Sequence, residues 1–234
     1  ALFLLGGIAV ATLACADVWR YRTNADAWLL FLWIAGTLLF AVGVNWVING
    51  RSLLPLAPAV GILIARRLDL LCGPLTRSLA WREAWPLVPA AVLALLVAEA
   101  DCRRANADRN AASLIADVYS GGSGTVWFEG HWGFQYYLRQ RGGLPLNLEA
   151  PRFRKGDFLA LPSDNYGVLF EPPTAKVRTL PTLEEPLYPL GCTMSEERGS
   201  GFYSHVCGPL PFVVEPAAPV RYRVLRFLTP LDGE

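Results

Sequence analysis

Residues 45–58 read Asn45-Trp46-Val47-Ile48-Asn49-Gly50-Arg51-Ser52-Leu53-Leu54-Pro55-Leu56-Ala57-Pro58. A long apolar run, Trp28 to Val47, ends here in a polar knot of Asn45, Asn49 and Arg51. A second apolar run, Ser52 to Ala65, begins at once and carries two prolines. Hydrocarbon offers no water to a polar side chain, so polar groups near membrane depth are costly and commonly functional. Two hydrophobic segments that meet at such a knot predict a helix, a turn and a second helix crossing back.

Working outward, the chain has 234 residues, 53% of them apolar, and a formal net charge of +1. A near-neutral charge argues against a nucleic-acid partner, which calls for a basic field. Apolar residues crowd into 1–100 and charged residues favour 101–234, which divides the chain into a membrane part and a soluble part. Four apolar segments stand out: 1–16, 28–47, 52–65 and 86–100. The twenty residues of 28–47 rise about 30 Å as a helix, enough to cross a hydrocarbon core, whereas 52–65 and 86–100 are about 20–23 Å long and borderline. A re-entrant or interfacial helix is the alternative for those two. Trp28, Trp33, Trp46, Trp81 and Trp85 suit interfacial belts. With the Asn49–Arg51 turn outside, loops 17–27 and 66–85 are cytoplasmic and carry Arg20, Arg22, Arg66, Arg67, Arg77 and Arg82. The outer side then holds Arg51, Arg103, Arg104 and Arg109. That small excess of inner arginine puts residues 101–234 outside the cytoplasm. Ala1 to Ala16 has no basic n-region, so it reads as the interior of a spanning helix in a longer protein.

The expected fold is α-helical transmembrane segments followed by a small extracytoplasmic α/β domain. Asp101 to Tyr119 reads as a helix, and Thr125 to Phe128 as a short strand. Gly130 to Arg139 reads as a helix stopped by Gly142-Gly143. Leu144–Leu148, Asp157–Leu161, Gly167–Phe170 and Phe212–Val214 read as further strands. Arg221–Leu228 alternates, with Tyr222, Val224 and Arg226 on one face. Residues 171–219 are Pro-rich and are left without regular structure. Cys192 and Cys207 are the natural disulfide pair if this half lies outside the cytoplasm, with two buried thiols as the alternative. Two histidines and no Cys-x-x-Cys leave no zinc site.

The Asn-Trp-x-x-Asn-Gly-Arg-Ser-Leu-Leu-Pro-Leu-x-Pro stretch is followed by a short apolar run ending Ala65-Arg66-Arg67-Leu68-Asp69. Together they resemble the late transmembrane region of bacterial C-type membrane glycosyltransferases. These are glycosyltransferase family 39, which includes protein O-mannosyltransferases and the aminoarabinose transferase of lipid A. Ala105 to Arg109 and Val126 to Tyr137 look like the extracytoplasmic tail of one bacterial subgroup. The resemblance covers most of residues 28–170. It implies an integral inner-membrane protein that moves a sugar from a polyprenyl-phosphate donor to an extracytoplasmic acceptor. The family's catalytic acid usually lies in the first extracytoplasmic loop, with a divalent metal in some relatives. Such a loop would precede Ala1, so this chain is expected to be the C-terminal part of the enzyme and inactive alone. No catalytic residue is assigned within it.

Arg51 is the leading candidate contact. A guanidinium is always charged and can bind a phosphate through two parallel hydrogen bonds. The competing reading is an interfacial arginine that anchors a helix end or meets ordinary lipid headgroups. Asn45 and Asn49 either line the same site or cap the helix break. Glu129 and His131, among Trp127, Trp132, Tyr136 and Tyr137, form a second candidate for sugar or acceptor contact. Its competing reading is a packed strand–helix corner. Gly121–Gly124 lacks the Lys-Ser/Thr of a phosphate loop and reads as a turn. The alternative for the whole chain is a non-catalytic membrane-anchored interaction domain. The oligomeric state is open.

Overall fold

The computed structural model describes residues 2–45, 49–72, 85, 87–122, 124–163 and 170–231. The chain divides into two compact units. One comprises Ala1–Val97 with Gly191–Glu215, and the other Ala98–Leu190 with Pro216–Glu234.

In the first unit, α1 (Leu2–Arg20), α2 (Ala25–Leu39) and α3 (Leu56–Cys72) pack together. Asn24 starts α2 as its cap, its Oδ1 accepting from the amides of Asp26 at 2.8 Å and Ala27 at 3.1 Å. An N-cap of this kind satisfies donors that the first turn leaves unpaired. After Leu39 the helix widens into a π turn over Phe40–Val44. The three helices meet through Ala14, Leu30, Ile34, Ala59 and Leu63. The buried alanines on α1 and α3 allow close backbone approach. Large side chains point the other way. Phe3, Leu4, Leu5, Ile8, Leu29, Leu32 and Leu39 are all exposed. Phe3–Arg20 and Ala25–Val44, 18 and 20 residues long, are long and apolar enough to cross a membrane, and only 11% and 22% of them are buried.

Several boundaries differ from expectation. The first helix runs to Arg20 rather than Ala16, which places Asp17 inside it. The third begins after Pro55 and continues to Cys72, taking in Arg66, Arg67 and Asp69. The fourth apolar segment and the following helix are one element, α4 (Leu87–Tyr119). Pro86, Trp81, Trp46 and Val47 lie outside the described residues.

The second unit is a mixed α/β structure. Its sheet has the order Leu144–Pro145 (β2), Val126–Phe128 (β1), Phe158–Pro162 (β3), Val220–Phe227 (β8) and Val177–Thr179 (β4), with Leu183–Glu185 (β5) also pairing β8. β1 (Val126–Phe128) lies parallel to β2 (Leu144–Pro145) and β3 (Phe158–Pro162), and β8 (Val220–Phe227) runs antiparallel to β3. β4 (Val177–Thr179) and β5 (Leu183–Glu185) pair antiparallel with β8. Both faces of β8 are covered, because Val220, Tyr222 and Val224 join one core and Leu225 and Phe227 another. The first core is closed by the Ala107, Ala111, Ile115 stripe of α4 and by Phe134 and Leu138 of α5 (Trp132–Gln140). A four-residue spacing puts such residues on one helix face. Phe134 stacks on Tyr222 with ring centroids 5.2 Å apart. Arg226 shares the face of Tyr222 and Val224, as the alternation predicts, and its guanidinium lies 5.7 Å from the Phe158 ring centre. The expected strand at Leu144–Leu148 shortens to Leu144–Pro145, and most of Gly167–Phe170 lies outside the described residues.

The Pro-rich 171–219 region does have structure, and it is divided. β4 and β5 extend the sheet, whereas Gly191–Glu215 belongs to the helical unit. There β6 (Met194–Ser195) pairs with β7 (Ser200–Gly201), and bridges join Cys192 to Val213 and Ser200 to Leu210. Val213 is thus held by a single bridge instead of a strand. Gly208 needs its glycine, with φ of +134° and the Gly199 carbonyl where a Cβ would stand.

Candidate functional site

The Asn45–Ser52 turn is built by its own side chains. Asn49, 7% exposed, precedes the 3-10 turn Gly50–Leu53, and its Oδ1 accepts from the Ser52 amide at 3.1 Å and the Ser52 hydroxyl at 2.8 Å. Asn45 Nδ2 donates to Ser52 Oγ at 2.8 Å. Asn45 and Asn49 therefore converge on Ser52, and the hydrogen bonds they make there shape the turn, which is the capping reading of the two. Ser52 is the hub, and sequence reading did not single it out; the signal was an Asn three residues before a Ser, the spacing of a side-chain cap. Trp33 Nε1 donates to the Pro55 carbonyl at 2.9 Å, tying α2 to the start of α3.

Arg51 sits on this turn and is exposed. Its amide donates to the Phe202 carbonyl at 3.2 Å. Its guanidinium has no ion-pair or hydrogen-bond partner among the described residues. Three other arginines of this unit contrast with it. Arg66 lies 3.3 Å from the Asp17 carboxylate, Arg198 lies 2.9 Å from Glu215, and Arg22 is stacked over Trp19. Arg51 presents an unspent planar cation on a turn whose shape is held by three other side chains. That arrangement can receive a phosphate or another planar anion.

No protein-family model, characterised protein or solved structure matches the chain.

Glu129 and His131 fall in the other unit, at the corner between β1 and α5. Glu129 is 6% exposed and its Oε2 accepts from the Phe170 amide at 3.1 Å. His131 is exposed at the cap position of α5, with its ring 6.4 Å from that of Trp132. Trp132 follows with φ of +56°, an uncommon conformation for a bulky residue, and is 59% exposed. Of this group, Glu129 has the surroundings of a structural carboxylate, while His131, Trp132 and Tyr136 face solvent. Asp157 is likewise structural. It accepts from the amides of Thr125 and Arg154 and from Trp127 Nε1 at 2.8–3.1 Å.

Cys192 and Cys207 are both buried, in the segment that joins the helical unit rather than in the α/β unit where they were expected. Both are thiols in this structure, and Cys192 Sγ donates to the Met194 carbonyl at 3.0 Å. Two other groups escaped sequence reading. Asp17, expected in a loop, is 2% exposed within α1 and faces Arg66 across the bundle with neither oxygen hydrogen-bonded. Asp108 accepts from the Tyr222 hydroxyl at 2.7 Å with Arg104 at 3.9 Å. Burial pushes its carboxyl above the ordinary carboxylate range, while Arg104 and Tyr222 pull it back down. Among the described residues no cluster of His, Cys, Asp or Glu could hold a metal ion.

Proposed function

We propose that this chain is part of an integral membrane glycosyltransferase that uses a polyprenyl-phosphate sugar donor, and that Arg51 contacts the donor phosphate. The observation that carries the reading is an exposed guanidinium, unpaired among the described residues, on a preorganised turn at the end of an outwardly apolar helix bundle. Helices α1 and α2 lie across the inner membrane in this reading, and the Asn45–Ser52 turn reaches the outer face. A phosphate there would meet a cation in a medium poorer in water than bulk, where its attraction is stronger. The guanidinium would also steady a phosphate leaving group as its charge develops. The α/β unit lies outside the cytoplasm, where His131, Trp132 and Tyr136 offer polar tips and aromatic faces to an acceptor.

The test is binding in phosphatidylcholine vesicles that carry either a polyprenyl phosphate or the corresponding polyprenol. Hydrogen bonds to a charged group contribute about 1.5–3 kcal/mol, so Arg51→Ala should weaken phosphate binding by about 10–100-fold. Retained affinity in Arg51→Ala, or equal affinity for the polyprenol, rejects the phosphate role.

A second reading, a membrane-anchored interaction domain without catalysis, draws on a different observation. Glu129 and Asp157 are committed to holding loops. Sugar transfer by the full-length protein in reconstituted membranes separates the two readings.

A further inference from the structure

The segment Gly191–Glu215 lies more than a hundred residues beyond the Asn45–Ser52 turn, yet belongs to the same compact unit. Its attachment is specific. The Phe202 carbonyl accepts the Arg51 amide at 3.2 Å. A Cβ built on Gly50 would stand 2.9 Å from Phe202 Cδ2 and 3.0 Å from Pro211 Cβ, so glycine is what lets the segment come this close. Phe212, next to Pro211, meets Phe3 of α1 edge to face with ring centroids 5.4 Å apart. The segment is braced internally by the Cys192–Val213 bridge, by the Phe202 amide donating to Thr193, and by the β6–β7 pair. Thr193 and Ser200 are almost fully buried within it.

We propose that Gly191–Glu215 is a clamp that positions Arg51, with Phe202 as the positioning residue and Gly50 as its seat. This deepens the donor-phosphate reading above and rests on it. The turn's own hydrogen bonds set its shape through Asn45, Asn49 and Ser52. Among the described residues the partner of the Arg51 backbone amide comes from the clamp, the Phe202 carbonyl, and not from the turn. An arginine side chain has many rotamers, and its root must be fixed before a planar two-point contact gains much over a loose one. Phe202 acts on the backbone of Arg51 and leaves the guanidinium open.

The test uses the full chain in phosphatidylcholine vesicles, with a polyprenyl phosphate as probe and hydrogen exchange of the Arg51 amide as an independent readout. Gly50→Ala should speed that exchange and weaken probe binding by about tenfold, the size expected when one well-placed charged contact is loosened. Gly61→Ala, at a position with nothing within 4 Å of a new Cβ, should change neither. Phe202→Leu, which keeps the carbonyl and an apolar side chain, should retain most of both. Faster exchange with unchanged binding in Gly50→Ala overturns the positioning role, and so does a variant in which neither changes. If Gly50→Ala does not fold, the wild-type protein decides, because an Arg51 amide exchanging at the rate of an open peptide excludes the clamp. Failure of the phosphate reading looks different: Arg51→Ala then binds the probe normally, whatever the Arg51 amide does.

Discussion

The helical unit and the α/β unit handle the same kinds of side chain in opposite ways. In the α/β unit large apolar residues point inward, with Phe128, Phe134, Tyr222 and Phe227 at 1% exposure or less. In the helical unit the centre is made largely of small or medium residues such as Ala14, Ala59 and Leu63, and the large ones face out. Buried carboxylates differ too. Asp157, Glu129 and Asp108 all accept hydrogen bonds, whereas Asp17, among the described residues, has an ion pair with Arg66 and no hydrogen bond. Water as solvent rewards inward burial of apolar area. A surface of outward leucine and phenylalanine is stable only where the surroundings are apolar as well. The contrast supports the proposal that the helical unit faces lipid and the α/β unit faces water.

Three substitutions bear on that contrast, taken from the largest expected effect. Phe134→Ala opens a cavity in the α/β core and should cost about 3–5 kcal/mol, read from the denaturant midpoint of that unit. A loss below 1 kcal/mol would mean that the core around Phe134 is not close-packed. Leu32→Lys tests the other side. Leu32 is 60% exposed on α2, and in water a change at such a site should be nearly silent. In a bilayer a lysine at the centre of a spanning helix costs about 2.5–3.5 kcal/mol. Lower recovery of the variant in the membrane fraction supports the outward apolar surface as a lipid surface, and unchanged recovery breaks the comparison.

The third and smallest concerns Asp108. Its folded carboxyl titrates above the ordinary range, so the folded state binds the proton more tightly than the unfolded chain. The proton-linked stability is therefore fully present below the unfolded pKa and is lost as pH rises through the raised folded value. Burial makes the ionised form of Asp108 costly, and Arg104 and Tyr222 offset that cost in part. Asp108→Asn keeps an acceptor for Tyr222 and removes the charge. It should flatten the fall in stability between acid and neutral pH, followed by thermal melting across that range. Parallel pH profiles for the two proteins would show that Asp108 does not titrate across folding.

Much of this was legible in the sequence. The apolar run of α2 and the tryptophans beside it announced the clearest helix. The alternation of Arg221–Leu228 announced β8 and placed Arg226 with Tyr222 and Val224. The polar knot marked the turn where α2 hands over to α3. Misjudged features involve partners distant in the chain. Asp17 looked like a loop residue because its partner, Arg66, is 49 positions away. The 171–219 region looked structureless because β4 and β5 are three residues each and depend on β8, while Gly191–Glu215 depends on Gly50 and Phe3.

By itself, then, the sequence determined which apolar segments are helical though not where they end, which strand alternates, and that Arg51 stands in a polar break. These follow from periodicity, capping and composition, which act over a few residues. Only the tertiary structure decided which polar groups are already spent. It pairs Arg66 with Asp17 and Arg198 with Glu215, commits Asn45, Asn49 and Ser52 to one another, and leaves the Arg51 guanidinium open. It also returns Gly191–Glu215 to the helical unit. Such choices turn on close approach between distant segments, where one missing Cβ at Gly50 makes room for a ring that no local pattern foretells.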